Sequence, residues 1–167
     1  IKKKLSIEKI GHAGTLDPMA EGVLPIAIGK ATKLIPYISI LNKEYDFTIT
    51  WGRQTTTDDS EGKILLESDY FPTKQEIEKK IINYLGYINQ IPPKVSAVKI
   101  NGKRAYKLFR ENKSFTIEPK KVFIESLSIT KHSIKKTSFK ILCGKGFYVR
   151  SFARDFALDL KTYGHIS

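Results

Sequence analysis

The chain of 167 residues holds one cysteine, one methionine, one tryptophan and three histidines. A lone Cys143 cannot close an internal disulfide, which fits a reducing, cytoplasmic setting. Cys143 and the scattered His12, His132 and His165 do not make a zinc site, so no metal is expected. No apolar run approaches the roughly 20 residues that a spanning helix needs, which excludes a helical membrane protein. No cleavable secretory signal opens the chain. Internal repeats, low-complexity tracts and Pro- or Gly-rich linkers are missing too, so no internal domain boundary is drawn. Acid is absent from residues 131 to 150, where six basic residues stand unopposed.

What is present is basic charge in two blocks. Lys and Arg number 29 against 17 Asp and Glu, a net of +12. Residues 99 to 121 carry eight basic and two acidic residues, and with the 131–150 block they account for the whole excess. Charge concentrated in this way suits a polyanion, because each neutralised phosphate releases condensed counterions. A lysine-rich composition without purpose is the competing reading, and charge alone does not separate the two. Hydrophobic residues make up 41% of the chain, enough for the core of one domain and too many for bulk disorder.

Periodicity gives the elements. Residues 1 to 10 read as the basic end of a helix. Three glycines and two prolines within 11–25 read as an ordered loop. Ala31, Leu34, Ile35, Ile38 and Leu41 share one helical face. Tyr45, Phe47, Ile49 and Trp51 alternate as a half-buried strand. A polar loop over 52–63 leads to an extended piece at 64–67. Thr73 and Glu76 form a capping box ahead of Ile77, Ile81, Leu85 and Ile88 at helical spacing. Pro92 and Pro93 stop regular structure. Residues 103–111 read as a short basic helix, and 121–130 and 137–143 as two strands around a Lys-rich turn. Gly144 and Gly146 bracket a tight turn. Residues 148–161 read as a helix with Val149, Phe152, Phe156 and Leu160 inward and Gly164 as its stop. Strands and helices without regular alternation predict an α+β (mixed α/β) domain.

The segment Gly11-His12-Ala13-Gly14-Thr15-Leu16-Asp17-Pro18 is the most loaded. Pro18 drives Asp17 toward an extended backbone, and the glycines admit close approach of other groups. A carboxylate on a stiff loop is how a nucleophile or base is best held. An ordinary turn is the competing reading, since Asp-Pro and glycine-rich strings build turns everywhere.

Residues 11 to 33, Gly-His-Ala-Gly-Thr-Leu-Asp-Pro-Met-Ala-Glu-Gly-Val-Leu-Pro-Ile-Ala-Ile-Gly-Lys-Ala-Thr-Lys, closely resemble the signature of the TruB family of tRNA pseudouridine synthases. The resemblance continues in order through Lys43-Glu44-Tyr45, Gly52-Arg53-Gln54-Thr55 with Asp58 to Gly62, Ile91-Pro92-Pro93 to Ser96-Ala97-Val98-Lys99, and Gly102-Lys103-Arg104-Ala105-Tyr106. It ends in Cys143-Gly144-Lys145-Gly146-Phe147-Tyr148-Val149-Arg150. It implies the pseudouridine synthase fold, a mixed, mostly antiparallel sheet flanked by helices. It further implies isomerisation of the T-loop uridine at tRNA position 55, with base flipping and without cofactor or metal.

By the same resemblance Asp17 is the catalytic aspartate, acting by attack or by proton abstraction at the sugar. His12 braces the space the flipped base vacates. Tyr45 lies against that base, Arg150 pairs with the aspartate, and Tyr148 and Lys33 stand near the pocket. Lys99, Lys103, Arg104, Tyr106, Lys107 and Arg110 resemble the family's RNA-gripping insertion, at about 91–121. The Lys131–Lys136 turn adds basic charge of no specific pattern. Asp58, Asp59 and Glu61 lack calcium-loop spacing and read as structural. The first residue is Ile1, and the stretch that completes the family's pocket would begin where the chain stops at Ser167. The chain therefore reads as a partial catalytic domain, without the C-terminal PUA-type domain, and as a monomer that works alone on the tRNA T stem-loop. A non-catalytic RNA binder or tRNA-folding chaperone on the same scaffold is the alternative. A hydrolase is disfavoured because no second carboxylate lies in the Gly11–Pro18 segment that presents Asp17.

Overall fold

The structure is a computed structural model that describes all 167 residues. The chain divides into two compact units, Ile1–Asn42 and Lys43–Ser167. In the first, β1 (Ile10–His12) pairs antiparallel with β2 (Ile26–Ile28), with Gly11 opposite Ala27. The pairing is extended at one end by Gly29 N–H donating to Lys9 O (2.8 Å) and at the other by Ala13 N–H donating to Pro25 O (3.1 Å). Gly29–Leu34 is a 3₁₀ helix, followed by the five-residue α1 (Ile35–Ser39). The single helix expected over 30–41 is therefore split. Pro36 has no N–H to give to an i−4 carbonyl, so a fresh helix starts at its position, where a missing N–H is tolerated. The helix end expected over residues 1–10 is not formed. Those residues make turns, with Leu5 N–H donating to Ile1 O (3.0 Å) and Ser6 at φ 51°.

The second unit is built on one antiparallel sheet. Its elements are β3 (Lys43–Trp51), β4 (Arg53–Thr55), β5 (Ile64–Glu67), α2 (Lys74–Ile81), β6 (Gly86–Gln90), β7 (Lys99–Ile100), β8 (Lys103–Arg104), α3 (Ala105–Arg110), β9 (Lys120–Ser133), β10 (Lys136–Cys143), α4 (Val149–Asp159) and β11 (Gly164–Ile166). Five strands form the sheet in the order β11-β3-β10-β9-β6. The α+β expectation holds, and the strands read at 45–51, 64–67, 121–130 and 137–143 all form.

Period-two alternation fixes the buried face. Ile49 and Trp51 on β3, and Thr137, Phe139, Ile141 and Cys143 on β10, are buried; Lys136 and Lys140 point the other way. Against this face α4 lays Phe152 and Phe156. Their rings meet Phe139 edge-on at 6.2 and 5.9 Å between centroids, and Phe156 lies 6.3 Å from Trp51. Edge-to-face aromatic packing of this kind makes either phenylalanine worth about 3–5 kcal/mol against alanine. The Trp51 indole N–H donates to Thr137 Oγ1 (2.9 Å), so the one polar tip in this layer is satisfied.

Three further expectations are corrected. The capping box forms, with Thr73 Oγ1 accepting from Glu76 N–H and the Glu76 carboxylate accepting from Thr73 N–H, but the helix behind it stops at Ile81. Gly86 at φ 86° breaks the chain's direction, and Ile88 reaches the core from β6 instead. The 3.6 period ran on because a strand residue happened to fall on the helical spacing. The basic helix begins at Ala105; Lys103–Arg104 is a strand paired with Lys99–Ile100 around Asn101-Gly102, both at positive φ. That is the dihedral signature of a type I′ hairpin. Gly164 does not stop α4. The helix ends at Asp159 with Leu160 as its cap and Lys161 at φ 59°, and Gly164 serves β11 by close packing. A Cβ there would stand 3.0 Å from both Ala157 Cβ and Ile49 Cγ2.

Candidate functional site

In the first unit the β1–β2 clasp closes a loop over 13–25. Asp17 starts a turn on this loop, with Pro18 at its second position and Ala20 N–H donating to Asp17 O (2.9 Å). The Asp17 side chain is half-buried. His12 ends β1 exposed, and its Nδ1 hydrogen-bonds Gly14 O. The missing Cβ at Gly11 leaves room for the Ile35 side chain, which packs where a methyl would sit. Lys33 is exposed on the 3₁₀ helix. The loop that carries Asp17 is thus tied at both ends by backbone hydrogen bonds, and Ile35 packs against Gly11 in the strand that leads into it.

In the second unit the start of α4 is the focus. Tyr148 precedes the helix without a side-chain cap. Its backbone is held by Gln90, a residue 1% exposed at the end of β6. Tyr148 N–H donates to Gln90 Oε1 (2.8 Å), and Gln90 Nε2 donates to Tyr148 O (3.0 Å). One amide side chain thereby imitates a strand neighbour. Two residues on, Arg150 is buried at the positive end of the helix, where a cation is out of place by dipole logic. Its Nη1 donates to Thr57 O and its Nη2 to Val95 O, each at 3.1 Å, and Nη1 lies 3.5 Å from Asp59 Oδ2. Asp59 also accepts from Thr57 Oγ1 (2.5 Å) and Glu61 N–H (3.1 Å). One helical turn later Arg154 pairs with Asp58 Oδ2 (3.1 Å) and Asp155 Oδ1 (2.8 Å). Burial pushes the Asp58 carboxyl above its ordinary range, against the pull of Arg154 and of a hydrogen bond from Gln54. Tyr45 sits on β3 opposite Ile141 and packs half-buried against the core.

The basic block is a hairpin and a helix. Lys99, Lys103, Arg104, Lys107 and Arg110 are all exposed on β7, β8 and α3. Ala105 and Leu108 are buried and anchor the helix, while Arg110 stacks 5.7 Å from the half-buried Tyr106 ring. The Arg104 guanidinium donates to Ala97 O within the hairpin base. No group of three or more His, Cys, Asp and Glu side chains is placed to hold a metal, and no helix is long and apolar enough to cross a membrane.

The structure brings Tyr148 and Arg150 together at the start of α4, and Lys99 to Arg110 together on one basic projection. Sequence reasoning missed Gln90, the distinct partners of Asp58 and Asp59, and Arg154. Asn101-Gly102 was a readable hairpin signal; Gln90 carried none, since a lone Gln before Pro92 looks like any polar residue.

Residues 2–149 match the family model described as TruB family pseudouridylate synthase (N terminal domain). The tRNA pseudouridine synthase B of Brucella ovis is 49% identical over 168 residues, which cover 100% of this chain and 52% of that protein. The tRNA pseudouridine synthase B of Ehrlichia chaffeensis is 47% identical, over 99% of this chain and 57% of its own length. The chain thus spans about half the length of the curated relatives it matches. Among solved structures, a chain of a Cbf5-Nop10-Gar1 complex superposes with a TM-score of 0.69 at 26% identity, over 99% of this chain and 40% of its own. A chain of an H/ACA RNP bound to a substrate RNA containing 2′-deoxyuridine has a TM-score of 0.67 at 22% identity, over 99% of this chain and 38% of its own, and so shares the fold. With most of its length matched by the family model and its fold shared with these structures, the chain belongs to the TruB family of pseudouridylate synthases.

Proposed function

We propose that this chain isomerises a uridine of tRNA to pseudouridine, at the T-loop position 55, with Asp17 as the catalytic carboxylate. The observation that carries the reading is the half-buried Asp17 on a loop clasped by β1 and β2, inside a segment matched by the family model. The reaction breaks the N1–C1′ bond, turns the uracil and forms a C5–C1′ bond. N1 gains a proton and C5 loses one, so substrate and product have the same atoms and no outside group is needed. Asp17 acts at the sugar, either on C1′ as nucleophile or by taking a proton. The base is flipped out of the folded loop, which costs unstacking energy. His12 braces the vacated space. Tyr45 offers its ring to the base, and its phenol assists the final removal of the C5 proton. Arg150, with Tyr148 and Lys33, supports the charged carboxylate and the sugar-phosphate. Lys99, Lys103, Arg104, Tyr106 and Arg110 grip the stem through its phosphates.

The test is release of tritium from 5-tritiated uridine in a T stem-loop RNA, comparing the full-length protein that carries this chain with its Asp17→Asn variant. Release that disappears in the variant, with RNA affinity changed less than a few-fold, is expected. Tight binding without release by the unmodified full-length protein assigns the scaffold to RNA binding or tRNA folding instead.

A further inference from the structure

Arg150 and Arg154 stand one turn apart on α4 and meet two consecutive aspartates of one loop. Arg150 faces Asp59 and Arg154 faces Asp58, with side-chain exposures of 10%/5% and 16%/9% for the two pairs. The loop between them passes through Asp58 at φ 61°, a left-handed backbone that costs a residue other than Gly about 1 kcal/mol or more. All three guanidinium nitrogens of Arg154 are used: Nε on Asp155 Oδ1 (2.8 Å), Nη1 on Asp58 Oδ2 (3.1 Å) and Nη2 donating to Ile91 O (2.9 Å). Ile91 O also accepts from Ser151 Oγ (2.7 Å). The two segments that Arg154 holds also hold Arg150, whose partners include Thr57 O, Asp59 and Val95 O.

We infer that the Asp58–Arg154 ion pair is a positioning latch for Arg150. It fixes the 55–62 loop and the 91–95 segment against α4, so that Asp59 and two carbonyls can hold the Arg150 guanidinium in one orientation. The inference rests on the role given to Arg150 above. Stability alone does not account for the pair. Burial pushes the Asp58 carboxyl up despite Arg154, while burial of Arg154 is more than offset by Asp155 and Asp58, which hold it charged, so the pair is weak evidence for stability by itself. An apolar pair of similar volume would serve a core as well or better. What charge and a planar three-way donor add is a defined arrangement of three segments, which a lysine could not reproduce. Neither residue needs to touch the substrate; both act through Arg150.

The experiment uses the chain labelled with ¹⁵N-arginine, with variants Asp58→Asn, Arg154→Met and Arg154→Lys. The Nε–H resonance of Arg150, assigned by its loss in Arg150→Ala, reports the guanidinium directly. The Trp51 indole resonance reports the fold. Loosening of the latch shifts and broadens the Arg150 signal while Trp51 is unmoved. Single-turnover tritium release at saturating RNA falls about 10- to 100-fold, the usual size for a group that orients a functional side chain, with RNA Kd within about two-fold. In an Arg150→Ala background, Arg154→Met changes the remaining rate by less than about two-fold. An unchanged Arg150 resonance in both Asp58→Asn and Arg154→Met overturns the latch, as does an equal loss of rate in the Arg150→Ala background. Should the full-length protein release no tritium at all, the functional reading fails, and the Arg150 resonance still decides the latch. If Arg154→Met does not fold, the Arg150 resonance in Asp58→Asn and Arg154→Lys decides it by the same criterion.

Discussion

Replacing Gln90 by leucine tests how the start of α4 is held. The side chain is 1% exposed and makes two hydrogen bonds to the Tyr148 backbone. Leucine has a similar volume, so no large cavity forms. Tyr148 O keeps its bond from Phe152 N–H (3.0 Å), but the half-buried Tyr148 N–H loses its bond to Gln90 Oε1. An orphaned amide costs about 1–3 kcal/mol and the second lost bond about 1 kcal/mol, a total of about 2–4 kcal/mol. For a chain of this size that lowers Tm by about 5–15 °C. Urea unfolding followed by Trp51 fluorescence measures it, with an unchanged m-value showing that the fold is the same. Glutamate at the same place restores both bonds only when protonated, so the deficit of Gln90→Glu grows as pH rises above the ordinary glutamate range and levels off once the buried carboxyl is ionised. A loss under about 0.5 kcal/mol for Gln90→Leu would refute the reasoning, since water would then replace the amide at no cost.

Burial pushes the Cys143 thiol up to about 12. The unfolded thiol ionises near 8.5, so the folded chain keeps a proton that the unfolded chain loses, and stability on this account is intact below that pH. Between about 9 and 12 it falls by about 1.4 kcal/mol per pH unit, a slope that Cys143→Ala removes in urea titrations at each pH. The buried Ser96 hydroxyl has no partner, so Ser96→Ala leaves the urea midpoint unchanged or raises stability by up to about 1 kcal/mol, whereas a bonded serine would lose that much. Lys103→Ala with Arg104→Ala weakens RNA binding and lowers the slope of log K against log salt by about 1–2; an unchanged slope removes the hairpin from the interface.

The two kinds of information divide along physical lines. Local rules made most elements readable: alternation along 45–51 and 137–143, the Thr73–Glu76 capping box, and the Phe152 and Phe156 stripe are each properties of neighbours in the chain. They failed where a local pattern was borrowed by another element, as when Ile88 kept helical spacing from within a strand, and where a residue acts at a distance, as Gly164 does against Ala157 and Ile49. The ordered signature residues, Asp17 foremost, were legible because they lie within short stretches whose order along the chain is itself the signal.

By itself the sequence determined that this chain has one basic, cysteine-poor, core-forming composition, two charged blocks, an α+β pattern and a family signature. Only the tertiary structure decided who holds whom. That Gln90 clamps Tyr148 across 58 residues, and that Asp59 and Asp58 divide between Arg150 and Arg154, follows from a sheet and a helix closing on one core. Partner choice among buried charges depends on distances of a few ångströms in a low-dielectric interior, and no spacing along the chain encodes those.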